Sequence, residues 1–270
     1  YPHIRTLLHT AATRGQEQRV AVSLPSLRLD TFSVELADAV TGMRRSGLTF
    51  APEAATPRLR AVINKWYDED DVLAVATEAY KRGWHNIKLY FMIGLPTERD
   101  EDVEAIADLC ERVEQAGRAV TGRARVSTGV STFVPKPFTP FQWEAQIDLE
   151  ETRRRQDILF QRLARKRGIK YGRHEPEASF IEGLLSRGDR RAADLLEAAA
   201  RRGARLDTSS EYLDFDAWQA AVEETGYDVA NALRARDPQG RLPWDHIDVR
   251  IPKQWFQLER QRAMELKETT

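Results

Sequence analysis

Cysteine is nearly absent from this chain: its 270 residues contain one, Cys110. A single thiol excludes an internal disulfide framework, and it excludes any iron-sulfur or zinc site held by cysteines of this chain alone. Long apolar runs are missing as well. No stretch approaches the roughly 18 residues a membrane span needs, and Tyr1 to Thr10 lacks the charged, apolar and small-residue order of a secretory leader. The expected setting is cytoplasmic, with no membrane partner. Neither sign of charge prevails, because 41 basic and 42 acidic side chains leave a net charge of −1, so nothing global demands nucleic acid. The phosphate loops GxxxxGK[ST] and GxGxxG do not occur, nor does the GxSxG nucleophile elbow, nor any internal repeat.

What is present is organised around Ser46 to Lys65, SGLTFAPEAATPRLRAVINK. Gly47 to Ala51 reads as a short buried strand. Pro52 to Pro57 turn the chain into a helix carrying Leu59, Val62 and Ile63, which leaves Glu53 at the C-terminal end of the strand. Ligands collect at that end in parallel α/β proteins, because rigid strands hold variable loops there. Glu53 is therefore the first functional candidate. The alternative is that it charges or caps the start of the following helix.

The rest of the chain repeats the unit. Apolar spacing at Ile4, Leu7, Leu8 and Ala11 predicts a helix at the very start, without a leading methionine. Arg19 to Leu24 reads as a strand and Ser33 to Arg44 as a helix. Asp68 is an N-cap with Asp71 three residues on, Gly83 stops that helix, and Asn86 to Ile93 is an apolar strand of the doubly covered kind. Gly94 to Glu98 turn the chain, and Thr97 is expected to cap a helix whose stripe includes Cys110. Cys110 is thereby a core residue rather than a reactive thiol. Arg125 to Val134 is a fourth strand, followed by an aromatic loop that three prolines, Pro135, Pro137 and Pro140, make rigid. Such a loop can present carbonyls and rings to a flat ligand, or can plug the sheet.

A charged helix, Glu150 to Arg167, ends this part. Beyond Gly168 the texture is loop-like and then helical. The expectation is an α/β fold: an incomplete (βα) barrel of about four parallel strands with flanking helices over 1–167, and a helical C-terminal extension over 168–270. Residues 151–205 hold 15 basic against 8 acidic groups. That block is either an RNA-facing surface or a solvated helix face paired with the acidic tail. His174 and Glu175, and Asp245, His246 and Asp248, match no established metal spacing. Arg187, Gly188, Asp189 and Arg190 read as an ion-pair turn that could also hold a phosphate. Four loops at strand ends, Ser23 to Arg28, Ala51 to Thr56, Gly94 to Glu98 and Phe133 to Pro140, suit a nucleoside better than a bare anion.

SLPSLRLD, the Ser46 to Lys65 stretch, YFMIGLPTERDED, STFVPKPFTPFQW, SFIEGLLSRGDRR and LPWDHID together resemble the radical S-adenosylmethionine superfamily. The branch is the one often joined to a cobalamin-binding domain and sharing features with the methylthiotransferases. The Gly94-Leu95-Pro96-Thr97-Glu98 turn is similar to the family's glycine turn, with Thr97 where a second glycine is common. The resemblance implies a partial barrel with S-adenosylmethionine across the C-terminal strand ends. It implies that Glu53 contacts the ligand's ribose or amino-acid part, that Lys65 meets its carboxylate, that Met92 and Ile93 line the adenine, and that Phe133, Val134 and Pro135 meet the adenine edge through their backbone. Tyr90 stands where some members place an aspartate.

The CxxxCxxC loop that holds the family's four-iron cluster is missing. The resemblance thus implies the C-terminal half of a longer polypeptide that begins after the second of six strands, with no cluster ligands, no catalytic or metal residue and no activity of its own. The missing N-terminal half would be its partner. The competing expectation is a non-catalytic module that binds RNA or a protein through the basic block, and a third is a cobalamin-dependent methyl transferase.

Overall fold

The computed structural model describes residues 3–18, 20, 47–207 and 211–266. Among these, strands β1 (Leu48–Glu53), β2 (Asn86–Ile93), β3 (Arg125–Thr132) and β4 (Ile169–Lys170) form one sheet in chain order. β1 and β2 pair in parallel with Leu48 opposite Ile87 and Phe50 opposite Leu89. β3 and β4 pair in parallel with Val126 opposite Ile169. The Arg125 amide donates to the His85 carbonyl at the start of β2 and the Phe133 amide to Ile93 at its end, both at 2.8 Å, so β3 runs parallel to β2. The expected α/β class with parallel strands and flanking helices is what the structure has.

Apart from Val20, the strand expected at Arg19 to Leu24, the Ser23 to Arg28 loop and the helix at Ser33 to Arg44 lie outside the described residues. The fourth described strand instead follows Gly168, in a segment the sequence reads as loop. A pairing of two residues is too short to display an alternating pattern.

The chain divides into two compact units, Tyr1–Phe91, Arg99–Val130 and Asp157–Arg173 forming the first, and Met92–Glu98, Ser131–Gln156 and His174–Thr270 the second. In the first, β2 alternates strictly, with Ile87, Leu89 and Phe91 buried and Asn86, Lys88 and Tyr90 half-buried. Its apolar face and the buried residues of helices α1 (Ile4–Gln18), α2 (Pro57–Val62), α3 (Glu69–Lys81) and α4 (Asp100–Val120) make up the core. Each fully buried Leu, Ile or Phe contributes about 1.5 to 3 kcal/mol. Helix α3 starts where the sequence predicts: Asp68 accepts from the Asp71 amide at 2.9 Å and Asp71 accepts back from Asp68 at 3.0 Å. On α4, Val103, Ile106, Cys110 and Val113 form the buried stripe. Gly117 completes it because a Cβ there would lie 2.6 Å from the Tyr80 ring.

Helix α4 starts at Asp100, not at Thr97. The Arg99 amide donates to the Asp102 carboxylate at 2.8 Å, while Thr97 sits at φ +68° inside the preceding turn, a conformation from which a helix cannot propagate. Helix α5 (Leu149–Leu163) buries Leu159 and Leu163. The second unit continues with α6 (Pro176–Arg187), α7 (Ala192–Arg201), α8 (Phe215–Thr225), α9 (Val229–Leu233) and α10 (Lys253–Glu265). Its larger core joins Leu184, Leu195, Ala198, Trp218, Ala221 and Leu233. A smaller one joins Trp143, Leu242, Trp244 and Phe256.

Candidate functional site

At the end of β1 the register slips: Phe50 faces Leu89 but Glu53 faces Phe91, so three residues of β1 advance against two of β2. The extra residue is a β-bulge, a device that re-aims a side chain. Glu53 itself has φ +66°, which costs a residue with a Cβ roughly 1 to 2 kcal/mol. The Lys65 ammonium donates to the Ala51 carbonyl at 2.6 Å and to Glu53 Oε1 at 3.2 Å, with a fifth of its side chain and a quarter of Glu53's exposed. Glu53 does not cap the following helix. Thr56 does, its hydroxyl accepting from the Leu59 amide at 3.3 Å.

The loop that carries this pair is clamped from below. Thr56 Oγ1 donates to Asp102 at 2.5 Å, and Arg58 and the Arg99 amide donate to the same carboxylate. Fully buried Arg60 donates to the carbonyls of Ala55 at 2.9 Å and Asp68 at 3.0 Å, and its guanidinium stacks 5.0 Å from the centre of the Tyr67 ring. Burial lowers its pKa from the ordinary arginine value. Tyr67 in turn donates to the Pro52 carbonyl at 2.8 Å. A strained, partly open carboxylate-ammonium pair on so fixed a loop is preorganised for a ligand with complementary charges.

Tyr90 lies on the half-buried side of β2, with the Lys88 ammonium 4.6 Å from its ring centre and its ring edge filling the space that a Cβ on Gly129 would need. Met92 has the same strand parity as Tyr90, whereas Ile93 has the opposite parity and is fully buried. Their side chains therefore serve different faces. After β2, Gly94 has φ +82° and Thr97 φ +68°. The left-handed Thr97 explains the glycine-like slot it occupies in the turn. Glu98 closes that turn: its buried carboxylate accepts from the Gly94 amide at 2.6 Å and from Arg155, whose guanidinium also donates to Glu151 at 2.6 Å.

In the proline loop, the Phe133 amide is committed to Ile93 and its ring meets Phe141 edge-on at 6.0 Å. Pro135 has no amide hydrogen, so Val134 supplies the remaining N–H of that tripeptide. Val134 and Pro135 are buried. Phe138 adopts φ +57°, and its amide donates to Gln142 Oε1 at 3.2 Å.

Cys110 is fully buried on α4, and burial pushes its thiol pKa up, away from the thiolate that binds iron. The residues of this chain do not fit a four-iron cluster. Among the described residues no group of three His, Cys, Asp or Glu stands where it could hold a metal ion, and no helix is long and apolar enough to cross a membrane. In the basic block, Arg153 pairs with Glu177, Arg162 with Asp108, Arg191 with Asp189 and Arg202 with Glu224. Arg187 is fully buried, donating to the carbonyls of Ala232 at 3.0 Å and Arg234 at 2.8 Å.

Sequence reasoning missed the clamp residues Arg60 and Asp102, and it missed the partnership of Glu98 with Arg155. An aspartate three residues into α4 is a capping signal that could have found Asp102. A pair 57 residues apart leaves no local signature.

Residues 1–110 match the family model described as the Radical SAM superfamily, so this region of the chain is similar to that superfamily. Over 178 residues, 66% of this chain, it is 33% identical to an uncharacterized protein of Methanocaldococcus jannaschii. That match covers 37% of the relative's length. A solved structure, Proteus mirabilis N-acetylneuraminate lyase, aligns over 96% of this chain and 92% of its own with 14% identity and a TM-score of 0.27, too low for any inference.

Proposed function

We propose that this chain is the part of a radical S-adenosylmethionine enzyme that grips the amino-acid end of S-adenosylmethionine. The observation that carries this reading is the Glu53 and Lys65 pair, 3.2 Å apart on a bulged strand end, within the region that matches the superfamily. The ligand's α-ammonium is a donor for Glu53 and its carboxylate an acceptor for Lys65, so a zwitterion exchanges one internal ion pair for two charge-assisted contacts. Nothing is left unpaired by the exchange. The bulge and the Arg60 clamp hold both side chains before the ligand arrives, which limits the ordering cost of binding.

In the longer protein we propose, the activity is reductive cleavage of S-adenosylmethionine at a four-iron cluster to begin radical chemistry. The buried Cys110 provides no ligand for that cluster, so its cysteines would lie outside residues 1–270, and this chain alone would be inactive. The RNA reading is the weaker one, because the arginines named above are engaged with carboxylates or carbonyls.

Calorimetric titration with S-adenosylmethionine tests the proposal. We expect saturable binding that Lys65→Ala and Glu53→Gln each weaken about tenfold, with little dependence on salt. Binding unchanged in both variants would sink it. Tight RNA binding that collapses steeply with salt would favour the alternative.

A further inference from the structure

A cavity of about 410 Å³ lies within the second unit, walled by Phe138, Trp244 and Phe256 and rimmed by Asp245, His246 and Asp248. Its size suits a small organic ligand. Its polar groups are lopsided. The pocket's lysine is already spent, since Lys253 Nζ donates to the Gly240 carbonyl at 2.8 Å and to Asp245 Oδ2 at 2.9 Å. The Trp244 indole N–H is spent on Gln142 Oε1 at 2.6 Å.

What remains are acceptors. Asp248 accepts from the Arg250 amide at 2.7 Å, and it pairs with no cation among the described residues. His246 Nδ1 lies 3.0 Å from the Pro243 carbonyl. A carbonyl only accepts, so Nδ1 carries the hydrogen and Nε2 of the neutral ring keeps a lone pair. Asp245 keeps its second oxygen for a ligand, because Lys253 and the Leu242 amide both use Oδ2. An anion would meet two carboxylates here, and a metal ion would lack a third ligand in reach. A ligand that donates and carries positive charge meets complementary groups.

We propose that this pocket binds a small organic cation, an amine with a flat apolar body: the ammonium contacts Asp248 and His246 Nε2, and the body lies against Phe138, Trp244 and Phe256. The site is independent of the S-adenosylmethionine reading and requires no cluster. Gln142 links it to the proline loop, since one oxygen accepts from both Trp244 and Phe138.

Benzylamine, benzyl alcohol and benzoate, titrated separately into the chain near neutral pH, share one body and differ in charge. Heat and the NMR signals of the His246 ring report binding. We expect benzylamine to saturate and shift the His246 ring, binding about tenfold more tightly than benzoate. Asp248 is exposed, so Asp248→Asn should weaken benzylamine about threefold, and Asp248→Asn with His246→Ala further, with circular dichroism unchanged. Three outcomes would overturn the site: benzoate binding as tightly as benzylamine, benzylamine affinity indifferent to Asp248→Asn, or no saturation by benzylamine. The first would leave an apolar crevice without charge preference.

Discussion

The turns that follow β1 and β2 each carry a glutamate, and the two glutamates have opposite fates. Glu98 is enclosed, its side chain 1% exposed, and its carboxylate closes the Gly94 turn onto Arg155. Glu53 is a quarter exposed, sits at φ +66°, and has Lys65 beside it. The difference teaches where a ligand can act. A buried carboxylate that takes a backbone amide and a guanidinium on one oxygen holds the fold together, and removing it leaves those donors uncompensated. A carboxylate held in strain, with a single long contact, contributes little to stability and keeps its charge available.

The sharpest test of that contrast is to remove the charge from the enclosed partner. Glu98→Gln keeps the shape and an acceptor for the Gly94 amide but leaves Arg155, itself largely buried, with Glu151 alone. Breaking a buried pair costs about 3 kcal/mol, which lowers the thermal midpoint by about 10 °C in a chain of this size. Glu53→Gln should shift it by no more than about 1 kcal/mol, as partly exposed pairs do. Equal shifts in the two variants would erase the distinction.

Much of the frame was legible beforehand, for identifiable reasons. The parallel strand at 86–93 and the α3 capping box announce themselves through unbroken apolar residues and the Asp68 and Asp71 spacing, both local signals. Cys110 could be placed in the core from steps of three and four. Glu53 could be chosen from its position after a strand, but not its bulge or its left-handed backbone, because both arise from pairing with β2. The Thr97 cap fails for the same kind of reason, since the Gly94 to Glu98 turn is closed by a carboxylate that belongs to its tertiary setting. The pocket around His246 required Phe138 and Phe256, far apart in sequence, to meet at Trp244.

A smaller effect of opposite sign is expected at the strained position. Glu53→Gly relieves the left-handed backbone, which favours the variant, and loses the contact to Lys65, which opposes it. Stability should hold or rise by up to about 1 kcal/mol, while affinity for S-adenosylmethionine falls about tenfold. Chemical denaturation and calorimetry on one preparation separate the two. A variant that is less stable and binds equally well would make Glu53 a structural residue like Glu98.

The smallest effect lies at the edge of the enclosed network. The Arg154 hydrogen bond, aided by Arg155 and opposed by burial, holds the Glu151 carboxyl well down, from the ordinary 4.5 to about 2. A carboxylate depressed in the folded state stabilises it fully above its unfolded pKa, and that contribution disappears as pH falls through the folded value. Glu151 is 30% exposed, so solvent screens the interaction and its worth stays below about 1 kcal/mol. Native protein should therefore exceed Glu151→Gln in thermal midpoint by a small constant amount above pH 4.5, and the gap should close between 4.5 and about 2. A Glu151 gap that persists unchanged to pH 2 would mean that packing, rather than charge, makes Glu151 useful, and the enclosed turn would then owe its stability to Glu98 and Arg155 alone.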